Sequence, residues 1–306
     1  MASPTKEPMH VQHERGFSPI FGPAPFAFDG EELLENSDGA LIRRDTALAE
    51  LSRLPLKQVT SFAILRDRSL AVVAEARLHH VIGNEVAASY GPSRAIVLPT
   101  ESAVELWQLN ARGVSRDRFG EGKAAKLLMP TAVYSFPEGN LPGVASLADG
   151  SIAVSNQSAI LHADAHSLKS YSWDGYSRHL APGPEPRTLW ASHGLDKVAL
   201  VRLEGANVRT LAMHSLRPTE TIVHMAGSGE HAAVVVASPT GDATLVAFAL
   251  VLFNARGEQW RSALAEKPRY FMVAMSATRV VLRFSSVPPQ PSYELRAWDL
   301  ASGKPA

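Results

Sequence analysis

Residues Val144–Val154 read VASLADGSIAV, two short apolar runs joined by a polar turn. Asp149-Gly150 tolerates the positive φ angles of a tight turn, so the stretch is expected to be a β-hairpin. Similar strand-turn-strand units recur on either side of it. They are Phe62–Val73 (FAILRDRSLAVV), Leu189–Val201 (LWASHGLDKVALV), His224–Val236 (HMAGSGEHAAVVV) and Phe271–Phe284 (FMVAMSATRVVLRF), with weaker versions at Phe26–Leu34 and Ile96–Leu106. Few stretches hold a helical period for three turns, so the chain is expected to be all-β.

A second element recurs between the hairpins. Polar turns read LNARG at Leu109–Gly113, AHSLK at Ala165–Lys169, MHSLR at Met213–Arg217, FNARG at Phe253–Gly257 and WDLASGK at Trp298–Lys304. Poorer copies fall at Arg44-Asp45 and near His80–Asn84. From Asp45 to Asp299 this makes six intervals averaging about 42 residues, the spacing of four-stranded propeller blades. Trp298-Asp299 followed by Ser302-Gly303-Lys304 resembles the end of the third strand and the next turn in WD-repeat proteins, and Trp107 with Asn110 and Gly113 is a looser copy. The resemblance covers roughly residues 20–306, although no blade carries the family's Gly-His pair in its usual place. It implies that the Trp packs between blades and that the Asp or Asn caps the turn.

The expected fold is a single β-propeller of seven four-stranded blades, with six as the alternative count. A blade has two apolar faces and cannot bury both alone, whereas a closed ring covers them. Strands apolar on both sides, such as Ala232–Ala237, fit sheets packed between sheets. Residues 1–16 read as a flexible tail and 17–306 as the propeller, with an N-terminal strand near Phe17–Phe21 closing the last blade. Ala76–Ser93 reads as a compact blade portion or an insertion. The Pro-rich stretches Ala181–Pro186 and Val287–Pro291 read as exposed loops.

The 306 residues carry 30 basic and 30 acidic side chains, so no nucleic-acid partner is expected. There are no cysteines, which excludes disulfides, thiolate nucleophiles and cysteine-ligated zinc. Met1–Arg15 lacks the apolar core of a secretory signal. The longest apolar run, Leu245–Phe253, is too short to span a bilayer. A cytoplasmic protein with no membrane partner is expected, and its excess of arginine over lysine suits a bacterial source.

His162, Asp164 and His166 alternate, so an extended strand would place all three on one face, within reach of a divalent metal. The competing reading makes Asp164 a turn cap, aligned with Asn110 and Asp299, and it is preferred. Gly227-Ser-Gly229-Glu-His-Ala232 matches the dinucleotide fingerprint, but a Val-rich strand follows where a helix is required. His79 and His80 are successive and would point to opposite strand faces. His193, His224 and His231 are placed near hairpin turns and read as structural. His10 and His13 belong to the tail, and Glu31, Glu32 and Glu35 read as a solvated acidic edge. The five tryptophans read as inter-blade core.

No catalytic residue, cofactor or metal is assigned. The leading expectation is a monomeric, non-catalytic interaction scaffold that binds another protein or a peptide through its loop face. The alternatives are a propeller enzyme, a metal-assisted hydrolase or lyase with its site at the channel mouth, and a sensor of a small ligand.

Overall fold

The structure, a computed structural model, describes residues 26–37, 39–93, 96–100, 105–110, 113–118, 143–156, 159–174, 177–240, 246–264, 270–285 and 293–306. The tail, the strand expected near Phe17–Phe21 and the Val287–Pro291 loop lie outside them. All regular elements among the described residues are strands.

Blade 1 comprises Phe26–Asp29 (β1), Glu32–Ser37 (β2), Ala40–Arg44 (β3) and Glu50–Arg53 (β4). Blade 2 comprises Val59–Ile64 (β5), Leu70–Ala74 (β6), Arg77–Ile82 (β7) and Glu85–Pro92 (β8). Blade 3 shows Ile96–Pro99 (β9), Glu105–Asn110 (β10) and Gly113–Arg118 (β11). Blade 4 comprises Val144–Ser146 (β12), Ile152–Asn156 (β13), Ala159–Ala163 (β14) and Leu168–Ser172 (β15). Blade 5 comprises Leu180–Pro182 (β16), Thr188–His193 (β17), Lys197–Glu204 (β18) and Asn207–Ser215 (β19). Blade 6 comprises Thr221–Ser228 (β20), His231–Pro239 (β21), Val246–Asn254 (β22) and Gly257–Leu264 (β23). Blade 7 shows Tyr270–Met275 (β24), Arg279–Ser285 (β25) and Tyr293–Asp299 (β26). Within each blade successive strands pair antiparallel. A single parallel bridge, Ser172 to Asn207, joins the outer strands of blades 4 and 5.

The first strands form the inner wall. Among the described residues β1 touches β5, β5 touches β9, β12 touches β16, β16 touches β20, β20 touches β24, and β24 returns to β1. Blades 3 and 4 share a cluster that includes Leu98, Trp107, Ile152 and Leu161. The chain is thus a closed ring.

The pattern of core residues explains the long apolar runs. In β21, Ala232, Val234 and Val236 pack toward blade 5, while Ala233 and Val235 pack toward blade 7. In β6, Leu70, Val72 and Ala74 face blade 1, while Ala71 and Val73 face blade 3. Alternation in a strand sends successive side chains to opposite faces, and here both faces are buried. Each Val or Leu so buried contributes about 1.5–3 kcal/mol of hydrophobic stabilisation.

Some expectations need correction. Ala76–Ser93 is no insertion; it holds β7 and β8, the outer half of blade 2. Leu189–Val201 is a hairpin of second and third strands, not first and second as in Val144–Val154. The polar turns are not all equivalent either. Those after Asp164, Asn254 and Asp299 follow third strands, but LNARG joins β10 to β11 and MHSLR ends the fourth strand β19. Trp107 therefore lies on a second strand, not a third. At the outer side of β26, Pro305 bridges Trp298, and the Ala306 amide donates to the Ala297 carbonyl at 2.9 Å.

Candidate functional site

Two first-to-second-strand turns are near copies. In LRDRS (Leu65–Ser69) the Leu65 amide donates to the Ser69 carbonyl at 2.8 Å, and Arg68 takes a φ of 66°. In LADGS (Leu147–Ser151) the Leu147 amide donates to the Ser151 carbonyl at 2.8 Å, and Gly150 takes a φ of 77°. Asp149 is not in the left-handed region, so this is a five-residue loop with one positive φ, not the two-residue turn expected. In each loop the aspartate accepts from the serine two residues on. Ser69 Oγ donates to Asp67 at 2.6 Å, and Ser151 Oγ donates to Asp149 at 2.5 Å.

A histidine on the third strand completes each set. His80 Nε2 lies 2.9 Å from Ser69 Oγ, and His162 Nε2 lies 2.8 Å from Ser151 Oγ. The order decides the chemistry. A nucleophilic serine gives its proton to an imidazole that a carboxylate orients from behind. Here the serine proton goes to the carboxylate, so Nε2–H of the histidine must be the donor to the serine. Both serines are buried, so the sets read as turn-locking networks. Partial burial works against the Asp67 charge, but the Ser69 hydroxyl and amide hold its carboxyl below the ordinary range. Burial pushes the His162 imidazole down, which keeps it neutral.

These twin turns flank the end of blade 3 and bound a depression at the mouth of the ring. Its volume is about 400 Å³, and Ile64, Leu65, Pro99, Leu147 and Ala148 give it aliphatic walls. Arg66, Thr100, Ser146 and Gly150 add polar groups. The walls are fixed from behind: Thr100 Oγ1 donates to the Glu105 carbonyl at 2.8 Å, and Trp107 Nε1 donates to the Gly150 carbonyl at 2.8 Å. The volume falls in the range of ligand pockets.

The structure does not bring His162, Asp164 and His166 together. The strand β14 ends at Ala163, so the alternation expected of an extended segment stops there. His162 is buried on Ser151. Asp164 caps the turn, accepting from the amides of His166 at 2.9 Å and Ser167 at 2.7 Å, and His166 is exposed. Burial opposes the Asp164 charge, but these hydrogen bonds hold its carboxyl below the ordinary range. Among the described residues no three His, Asp or Glu side chains converge as a metal site would require.

Gly227 and Gly229 flank a hairpin, and Gly227 is small because blade 5 presses on it. A Cβ there would meet Ala181 Cβ at 2.8 Å and Trp190 Cδ1 at 3.2 Å. His79 and His80 do diverge: His79 Nδ1 lies 2.9 Å from Ser89 Oγ, and His80 turns to Ser69. Glu31 and Glu32 of the acidic edge are solvated as expected, but Glu35 is fully buried. Arg44 Nε donates to it at 2.7 Å, while Glu32 pairs with Arg43 and Glu31 with Arg279. Nothing in a run of three nearby acids distinguishes the one destined for a blade interface. His193 and His231 flank turns, but His224 lies mid-strand in β20. It packs against His179, which no sequence motif singled out, with ring centres 5.4 Å apart. Trp107, Trp190, Trp260 and Trp298 are tied across blades through their indole N–H groups.

This ring of antiparallel blades defines a β-propeller fold. No protein-family model and no curated protein matches the chain. Solved structures do match in fold. The Cps50 (Swd1) β-propeller domain of Myceliophteria thermophila is 13% identical at a TM-score of 0.61, covering 87% of this chain and 94% of that one. Hsv2 of Kluyveromyces lactis is 14% identical at 0.58, covering 85% and 88%. The RRP9 WD40 repeats are 13% identical at 0.56, covering 82% and 83%. Likeness at such identity shows the fold alone.

Proposed function

We propose that the protein is a non-catalytic, cytoplasmic interaction scaffold whose ring mouth receives a segment of another protein. One observation carries this reading: a depression of about 400 Å³ with aliphatic walls lies open at the mouth, between two rigid turns. Rigid walls bind with little loss of conformational entropy, which is what a scaffold surface needs. Apolar anchors entering such a pocket supply most of the affinity in peptide recognition. Ser69 and Ser151 of the bounding turns hydrogen-bond to carboxylates and are sealed in the turns, so neither is poised for acyl transfer.

Proximity labelling with a photo-crosslinking side chain at position 148 tests the reading. Partners captured by the wild type are expected to be lost, by about 30-fold or more in affinity, when Leu147→Asp fills the wall with charge. The control Leu195→Asp, on an exposed residue away from the mouth, should retain them. Equal capture by both variants would overturn the assignment.

A further inference from the structure

The inner wall between blades 5 and 6 carries a second polar feature, remote from the twin turns. His179 immediately precedes β16, and its backbone is clamped: the Ser192 amide donates to its carbonyl at 3.0 Å, and its amide donates to Ser192 Oγ at 3.1 Å. His224 sits on β20 just past a register shift between Ile222 and His224. Such a bulge re-aims the side chain that follows it. The two rings meet at 5.4 Å with planes inclined by 56°. Both residues are half-buried, although Leu180, Ile222 and Met225 around them are buried.

The hydrogen bonds fix what these rings can offer. The Val273 amide of blade 7 donates to His224 Nδ1 at 3.3 Å. A neutral His224 must therefore carry its proton on Nε2, which makes that atom a donor and unfits it as a metal ligand. No hydrogen bond to His224 Nε2 or to either His179 ring nitrogen is seen among the described residues. The charged group that acts on the pair is a cation, Arg178, next to His179. Among the described residues no carboxylate acts on either ring.

We propose that His179 and His224, with Arg178 beside them, form an anion site on the channel wall that takes a carboxylate or phosphate group and tightens as pH falls. The anion would accept from His224 Nε2–H and from a ring N–H of His179, and Arg178 would add long-range attraction. The proton linkage sets the sign. Burial, then the facing His224 and Arg178, push His179 down to about 3, and burial pushes His224 down to about 4. The empty site is neutral at pH 7. An anion stabilises the imidazolium form and raises both values, so binding takes up protons. Affinity for a given ionised form of the anion then rises as pH falls through the raised values toward about 4.

The Cε1–H resonances of the two rings, followed by NMR during pH titration with and without inorganic phosphate or acetate, report this directly. Phosphate is expected to raise the apparent value of each ring by about one unit, which from free values of about 3 and about 4 amounts to about twofold tighter binding of a given anion form at pH 5 than at pH 7. Arg178→Ala separates the site from mere packing. It should raise the value of His179 in the free protein yet weaken phosphate binding. His224→Phe, checked for folding by circular dichroism, should abolish the effect on His179. Values that do not move with either anion, or an Arg178→Ala variant that binds phosphate as well as the wild type, would overturn the proposal. A response to acetate but not phosphate would assign the site to carboxylates.

Discussion

Two joints of the ring are built in opposite ways. Between blades 5 and 6 the interface is a broad apolar cluster that includes Trp190, Leu200, Val234, Val251 and Phe253, and Gly227 lets the sheets approach. Between blades 7 and 1 the buried apolar set among the described residues is Phe26, Leu33, Ala274, Val281 and Ala297, with Phe28, Leu48, Met272 and Leu295 partly buried against it. Charged groups are built in as well. Arg283 donates to the Asn36 carbonyl at 2.8 Å and stands 3.8 Å from the buried Glu35, while Arg279 donates to the carbonyls of Thr46 and Glu31. Blades 5 and 6 are neighbours in the chain, whereas Arg279 and Glu31 are 248 residues apart. Apolar contact is non-directional, so it suits partners already delivered by the chain. Directional bonds demand one geometry, which suits the joint where distant segments must find a single register.

The sharpest way to break this contrast is Glu35→Ala. It removes the buried acceptor of Arg44 and the carboxylate facing Arg283, but both arginines are only partly buried and keep bonds to the Leu48 and Asn36 carbonyls, so the expected loss stays below the ~3–5 kcal/mol of a fully buried pair. Glu35→Gln keeps an acceptor for Arg44 and should cost less. Urea denaturation followed by tryptophan fluorescence measures both. A loss below about 1 kcal/mol for Glu35→Ala would mean that the apolar set there suffices to close the ring.

At the other joint the matching change is Gly227→Ala. Its new Cβ would press on Ala181 and Trp190, and overpacking of this kind costs about 1–3 kcal/mol. Gly229→Ala is the control two residues away. It meets nothing within 4 Å, and its strain comes from a φ of 56°, a cost of about 1 kcal/mol. Neither loss should respond to salt, because no charge is involved. Equal losses would show that the close approach of blades 5 and 6 is not what fixes the glycine.

The repeat was legible because it is written in local chemistry. Asp149-Gly150 marks its turn, and Asp45, Asp164, Asn254 and Asp299 cap third-strand turns as their sequence context suggests. The joints were not legible, since they depend on which blade faces which. Glu35 looks like its neighbours Glu31 and Glu32 in sequence, and only the return of blade 7 buries it. The twin LRDRS and LADGS turns could have been found by aligning Asp67-x-Ser69 and Asp149-x-Ser151 with the histidine eleven residues after each serine. The pairing of His179 with His224 left no such trace, because the residues come from different blades and a bulge sets the angle.

The joint between blades 1 and 2 tests how far charge alone can matter. There Asp29, nearly buried, accepts from Arg43 at 3.0 Å and from Arg68 of the LRDRS turn at 2.8 Å. The apolar cluster behind it is large, with Leu34, Leu41, Phe62, Leu70 and Val72. Arg68 is 67% exposed, so water and salt screen its pair. Arg68→Ala also leaves Asp29 bonded to Arg43, so no buried charge is stranded. The expected loss is far smaller than that of Glu35→Ala, and it should shrink further in high salt. Measured beside Glu35→Ala under the same conditions, it separates two uses of an ion pair. One decorates a joint that hydrophobic contact already holds, and the other adds directional bonds where the first and last blades meet. A loss from Arg68→Ala as large as that from Glu35→Ala would erase the distinction between the two kinds of joint.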